Sequence, residues 1–317
     1  MQQAAARPGP TAASPDLVLR SYKPRSLWRN AMRYLFRQRL AIAGMVILAG
    51  LLFVAVFAPV LATHDPNQTL IGKEDVKKRT PPCIHALGCP EEQPQHFFGT
   101  DGNVRDLYSR VLYGARLSLM VGFLSVSFAI LIGGTVGAVA GFAAGFTDNL
   151  LMRLMDVLLA FPSLILAIAI VTVLGPGLIN TLIAIGIVSI PVYARIMRSS
   201  VLSVKETDFV MADRALGVPT NRILFSHILP NSMTPLIVAG TLGIATAILD
   251  AAALSVLGLG AQPPTPEWGS MIGQERNQVF TSPHLIIFPG LALMLTVLAF
   301  NLLGDGLRDA LDPRLNR

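Results

Sequence analysis

Six stretches of mostly apolar residues, at 40–62, 117–142, 154–174, 178–197, 236–257 and 284–303, alternate with polar segments along the chain. Each holds about the 20 residues that a helix needs to cross ~30 Å of hydrocarbon. Lipid offers no partner for a backbone N–H or C=O, and the two-residue alternation of barrel strands is weak, so the pattern predicts helices. The expected fold is an all-α membrane protein, a six-span helical bundle. The expected organisation is a tail over 1–39, a first span over 40–62, a loop over 63–116, a five-span core over 117–304 and a second tail over 305–317. A polar segment at 198–235 interrupts the core.

Composition agrees: 52% of residues are hydrophobic, 14% are charged, and the mean hydropathy is +0.57. A soluble domain would carry about a quarter charged residues. Residues 1–39 hold eight basic side chains against one acid, Asp16. That excess predicts a cytoplasmic amino terminus, and an even number of spans returns the carboxyl terminus to the same side. Segments 143–153, 198–235 and 304–317 then lie inside, and 63–116, 175–177 and 258–283 outside. The net charge of +6 becomes a topology signal and carries no nucleic-acid footprint. The first twenty residues, rich in Ala, Pro and Gln, are expected to be disordered, and no cleavable leader is expected ahead of residue 40. Arg25, Arg29, Arg33 and Arg37 run beside Trp28, Met32, Leu35 and Phe36. This is either a helix lying on the inner lipid surface or a charged flank that orients the first span.

Four features inside this frame carry local expectations. Cys83 and Cys89 bracket CIHALGC in the outer loop, where a disulfide or two free thiols both fit. His85 between them lacks a fourth ligand, so no metal site is expected there. Gly133, Gly137, Gly141 and Gly145 form a small-residue ladder for close helix packing. Pro162 and Pro191 are expected to kink the third and fourth spans. Two acids fall in apolar runs. Asp250 is a candidate for the solute path or an interhelical hydrogen bond; Asp156 is a weaker path candidate, within reach of Arg153 for a salt bridge.

The segment VLSVKETDFVMADRALGVPTNRILFSHILPN, residues 201–231, is the most distinctive. Thr207 or Asp208 can cap a short helix, Gly217 stands where a left-handed residue ends one, and Pro219 prevents its continuation. Thr220 can cap a second helix that Pro230 is expected to stop at the membrane boundary. The result is a bent helical pair showing Phe209, Met211, Ala212, Ala215 and Leu216 as apolar surface, flanked by Asp213 and Arg214. Such a pair is either a docking element or a self-packed hairpin.

Met211, Ala212, Asp213, Gly217, His227, Ile228, Leu229 and Pro230 are spaced as in the cytoplasmic loop by which ABC importer permeases couple to their ATPases, and the chain resembles that family. Gly217, Leu229 and Pro230 match in type and spacing. Met211 replaces a glutamate, and Asp213 is the neighbouring acid that can take over its salt bridge to the ATPase. FFGTDGNVRDLYSRVLYGARLSL (97–119), RLMDVLLAFPSLILAI (153–168) and LSVLGLGAQPPTPEWGSMI (254–272) are similar to the second permease of dipeptide, oligopeptide and nickel importers. In the fifth span that family places a glutamate where Ala251 stands, one position after Asp250.

The resemblance implies a type I importer permease in the prokaryotic inner membrane that transports and is not an enzyme. It implies a heterodimer with a homologous permease, two cytoplasmic ATPase subunits and an extracytoplasmic solute-binding protein. No G-x-x-x-x-G-K-[ST] loop occurs, so no cofactor is expected on this chain, and ATP and Mg belong to the ATPases. Di- or oligopeptides are the expected cargo, with nickel chelates and glutathione handled by close relatives. The alternative is an ion-coupled secondary transporter acting without an ATPase. It wants inverted repeats and broken helices at midplane, and no clear repeat is found. An intramembrane hydrolase wants H-E-x-x-H or G-x-S-x-G within a span, and neither occurs.

Overall fold

The computed structural model describes residues 32–311. Among them every regular element is helical, apart from isolated bridges between residues 71 and 106. Helices α1 (Arg39–Leu61) and α2 (Leu107–Ala143) are each long and apolar enough to cross a membrane. Helices α3 (Gly145–Leu159) and α4 (Ser163–Leu174) qualify only as a pair and meet at 88°. Helix α5 (Leu178–Lys205) qualifies alone; α6 (Asp208–Ala215) is short. Next come α7 (Thr220–Val256), the short α8 (Trp268–Glu275) and α9 (His284–Leu311).

The third span is therefore broken where only a kink at Pro162 is expected. Pro162 has no N–H to give the preceding turn and sits ahead of α4 with an extended ψ of 128°. Twelve residues of α4 cover only about 18 Å, so α4 cannot cross a bilayer by itself. Pro191, by contrast, lies within an uninterrupted α5.

Most helices outrun their apolar windows. Helix α2 starts at Leu107 rather than residue 117, α5 continues past 197 to Lys205, and α9 continues past 303 to Leu311. Polar turns extend a helix beyond the hydrocarbon at no backbone cost, so hydropathy alone underestimates its length. Segment 143–153, expected as a loop, is largely α3, and 258–283 contains α8. Of the amino-terminal helix, residues 32–35 are helical, with Leu35 buried beside Ala41 and Ala310. Arg25, Trp28, Arg29 and the final residues 312–317 lie outside the described residues.

The glycine ladder does pack α2 on α5. A side chain at Gly133 would stand 2.5 Å from the Ile190 carbonyl, one at Gly141 would stand 2.9 Å from that of Arg198, and one at Gly137 would strike Ala194. Gly145 is no part of the ladder: it opens α3 with a φ of +61°. Two apolar cores result. One joins α2, α5, α7 along its length from Ile223 to Leu254, Val210 of α6 and parts of α3 and α4; the other joins α1, the beginning of α2, α8 and α9 to the far half of α7.

The bundle has two distinct ends. One gathers α6 with both limits of the described chain, where Gln38 Nε2 donates to Asp309 Oδ2 at 2.8 Å and Lys205 Nζ to the Phe142 carbonyl at 3.0 Å. The opposite end gathers residues 62–106, the 175–177 turn and α8 into a cap. There Gly177 N–H bonds the Leu259 carbonyl at 3.1 Å, and Arg79 Nε bonds Glu275 at 2.9 Å.

Candidate functional site

Helix α6 and the turn that follows form a knuckle beyond the end of the bundle. Thr207 occupies its amino-terminal cap position but makes no side-chain cap; its hydroxyl donates backwards to the Val204 carbonyl at 2.6 Å. At the other end, Gly217 adopts φ +71°. Its N–H bonds the Arg214 carbonyl at 3.0 Å, and Val218 N–H bonds that of Asp213 at 3.0 Å. These two bonds are the Schellman closure, which needs the left-handed residue that glycine supplies. Val210, fully buried, and Asp213, three residues on, share the face turned to the protein. Phe209 (46% exposed), Met211 (49%) and Leu216 (81%) face outward, as do Ala212, Arg214 and Ala215.

Two expectations about this segment are corrected. Thr220 makes no side-chain cap; Pro219 holds the cap position. Pro230 does not stop the second helix either, because the chain stays helical from Thr220 to Val256. A π turn over Ile223–Ile228 absorbs the proline: Leu229 N–H reaches back five residues to the Leu224 carbonyl. The wider turn accommodates a ring that would otherwise clash with the carbonyl four residues earlier. Asn231 Nδ2 then donates to the His227 carbonyl at 2.6 Å. His227 Nδ1 pairs with the Asp213 carboxylate, tying α6 to the π turn. Asp213 is thus engaged within this chain, and Leu229 is half-buried while Pro230 is exposed.

The membrane acids separate. Asp156 pairs with Arg195 at 2.6 Å and not with the nearby Arg153; both partners are more than half exposed. Asp148, which sequence reasoning passed over, receives a bidentate fork from Arg198 at 2.5 and 2.6 Å. The two pairs staple α3 across α5. Asp250 is half-buried and hydrogen-bonds nothing among the described residues, so no interhelical bond holds it. It lies about 9 Å along α7 from the Val256 end.

The cap is densely bonded. Asp106 caps α2 by accepting from Ser109 N at 2.8 Å and Ser109 Oγ at 2.7 Å. Arg110, only 1% exposed, donates to the carbonyls of Pro66 at 2.7 Å and Pro264 at 3.1 Å and stands 3.4 Å from Asp101. Glu267 caps α8 through Gly269 N at 2.9 Å and Ser270 N at 2.8 Å, and Trp268 Nε1 donates to the Val111 carbonyl at 2.9 Å. A side chain at Gly114 would come within 2.6 Å of that indole. Cys83 and Cys89 are disulfide-bonded, with Cα atoms 5.4 Å apart. His85 turns to the Gln93 carbonyl at 2.8 Å.

His64, Glu74, His96 and Asp106 also meet in the cap, a cluster that no local sequence pattern announces. Burial disfavours charge on His96, but the hydrogen bonds and charges of Asp106 and Glu74 outweigh it and hold its pKa above the ordinary histidine value. Burial likewise acts to raise Asp106, yet hydrogen bonds from His96 and Ser109 hold it below the usual carboxylate range.

Known proteins match this arrangement. Residues 108–317 match the family described as "Binding-protein-dependent transport system inner membrane component", and residues 26–82 match "N-terminal TM domain of oligopeptide transport permease C". The chain belongs to this permease family. A dipeptide transport system permease, DppC, of Alkalihalophilus pseudofirmus is 46% identical over 97% of this chain and 96% of its own length. The di/tripeptide permease DppC of Pseudomonas aeruginosa is 48% identical over 87% of this chain and 88% of its own. The glutathione permease GsiD of Pectobacterium atrosepticum is 42% identical over 94% and 95%. An inward-facing structure of the MetNI methionine ABC transporter shares the fold, with a TM-score of 0.54 at 19% identity over 63% of this chain and 96% of that one.

The permease is therefore a multi-pass inner-membrane component of an ABC importer, not an ATPase-free secondary transporter. Its matched core contains the whole knuckle, Asp156, Asp250 and α8. Residues 83–107, with the disulfide, His96 and Asp106, fall between the two matched segments.

Proposed function

We propose that this permease imports di- or oligopeptides, lining a translocation path together with a second, homologous permease. Its amino and carboxyl termini and the knuckle are cytoplasmic, a reading supported by the eight basic residues of segment 1–39. Two ATPase subunits, which bind the ATP and Mg, grip α6 through Phe209, Met211, Ala212 and Leu216. An extracytoplasmic binding protein delivers cargo to the cap. The carrying observation is the knuckle: a helix closed by Gly217 whose Phe209, Met211 and Leu216 side chains are left uncovered by the described residues. Relatives at 46% and 48% identity named for dipeptides support the cargo.

The test is uptake in proteoliposomes holding the permease with its partners. ATP-dependent accumulation of short peptides, against a panel that includes glutathione, is the expected result. Accumulation driven by an ion gradient without ATP would refute the reading. Asp250, a membrane acid without a hydrogen-bond partner among the described residues, lines the path. Asp250→Ala is expected to change the KM for peptide uptake several-fold; unaltered kinetics would return Asp250 to a packing role.

A further inference from the structure

Residues 71–76, in the segment between α1 and α2, form a strap on the cap. Its ends are pinned. Leu70, 2% exposed, donates its N–H to the Val104 carbonyl at 2.8 Å, and the Lys77 carbonyl accepts from the hydroxyls of Thr80 at 2.7 Å and Thr100 at 2.9 Å. Between the pins, Glu74 supplies the only side-chain hydrogen bonds of the strap among the described residues. Its Oε2 lies 3.1 Å from His96 Nε2, and its Oε1 lies 3.1 Å from His64 Nε2.

His96 is 1% exposed and stands between two carboxylates, because its Nδ1 lies 2.9 Å from Asp106 Oδ1. Carboxylates accept and do not donate. Both contacts are therefore hydrogen bonds at once only when the ring carries a proton on each nitrogen, whichever tautomer its neutral form adopts. A neutral ring keeps one proton for one carboxylate and turns a lone pair to the other. Asp106 cannot retreat: it is fully buried, and its Oδ2 accepts from Ser109 N at 2.8 Å and Ser109 Oγ at 2.7 Å. Glu74, with 26% of its side chain exposed, can turn to water. The titratable groups that face the ring are Asp106, Glu74 and His64, whose ring centroid is 5.2 Å away; its backbone partner Cys83 is held in the disulfide.

We propose that His96 is a proton-operated latch for the strap: protonated, it holds Glu74 against the cap, and neutral, it lets residues 71–76 lift. Burial lowers the pKa of His96, but the hydrogen bonds and charges of Asp106 and Glu74 outweigh burial and raise it above the ordinary histidine value. A group whose pKa is raised by closure supports closure fully below its ordinary pKa and withdraws that support as pH rises through the raised one. Acid thus fastens the strap, and alkali frees it. His64 still tethers Glu74 Oε1, so the strap loosens without unfolding the cap. In the orientation proposed above, the cap faces the external medium and the binding protein, so the pH outside sets how firm the receiving surface is. The latch itself rests neither on that orientation nor on the cargo.

The experiment follows amide exchange by mass spectrometry in the full-length chain in nanodiscs, from about pH 6 to about pH 9. Each rate is divided by that of an unstructured peptide at the same pH, which removes the base catalysis of exchange. The Lys73 and Glu74 amides, bonded to the Leu70 carbonyl at 3.0 and 3.2 Å, should lose protection several-fold as pH rises. His64→Ala, which removes the remaining tether, should deepen the alkaline loss. Glu74→Gln should flatten the profile, because its amide can donate to a neutral His96 Nε2. His96→Gln should flatten it too, and the partly exposed Glu74 keeps the test valid if the buried His96 variant misfolds. Carbon-13 NMR of the histidine rings should place the His96 midpoint above the ordinary value, with Glu74→Gln lowering it. A natural profile as flat as that of Glu74→Gln, or a His96 midpoint that Glu74→Gln leaves in place, overturns the proposal.

Discussion

In the cap, Arg110 is 1% exposed, Glu267 2% and Trp268 1%, and each of these side chains makes a hydrogen bond to a residue a long way off in sequence. At the opposite end, Leu216 is 81% exposed and Phe209 46%, and α6 is held by Val210, the Asp213–His227 pair and its own turns. The cap has buried its charges, and the knuckle has exposed its hydrophobes. Buried, satisfied charges give a rigid surface, and uncovered apolar side chains give a surface that gains free energy only when a partner arrives. A subunit that must transmit force at one end and receive cargo at the other needs both.

Substitutions that act on one end and spare the other sharpen this contrast. Trp268→Ala should have the largest effect, costing about 3–5 kcal/mol by emptying the contact with α2. Chemical denaturation in detergent would measure it, and ATPase binding should be untouched; a loss under ~1 kcal/mol would mean the cap is not rigidly packed. Phe209→Glu with Leu216→Glu should reverse the pattern. Folding stability should stay within about 0.5 kcal/mol, as for ordinary surface changes, while ATPase binding loses about 2 kcal/mol or more, roughly 30-fold. Titration of labelled ATPase against both proteins reads the difference, and equal affinity would break the comparison. Gly217→Val is the smallest. A β-branched residue at φ +71° should cost about 1–2 kcal/mol locally and fray α6. Faster amide exchange confined to residues 208–218 is expected, and exchange identical to the natural chain would show that the turn bears no such strain.

What the chain discloses in advance depends on the range of the interactions. The spans were legible because twenty apolar residues report directly on a lipid solvent. Gly217 was legible because a left-handed helix end is decided within six residues. Pro162 announced a kink but not the 88° break, which depends on how α3 lies across α5. Asp156 had Arg153 three residues away, yet tertiary packing gave it Arg195. The π turn that carries Pro230 through α7 replaces a stop with a bulge, a choice that local propensity does not make. His64, Glu74, His96 and Asp106 are spread over more than forty residues, and only the closure of the cap brings them together.

The central claim is that α6 is where the ATPase engages this permease. A photo-crosslinking amino acid placed at Leu216, and in parallel at the exposed Leu87 of the cap, tests it in the assembled complex under ATP turnover. The account predicts an ATPase adduct from position 216 and none from position 87. An ATPase adduct from the cap, or none from the knuckle, would contradict it.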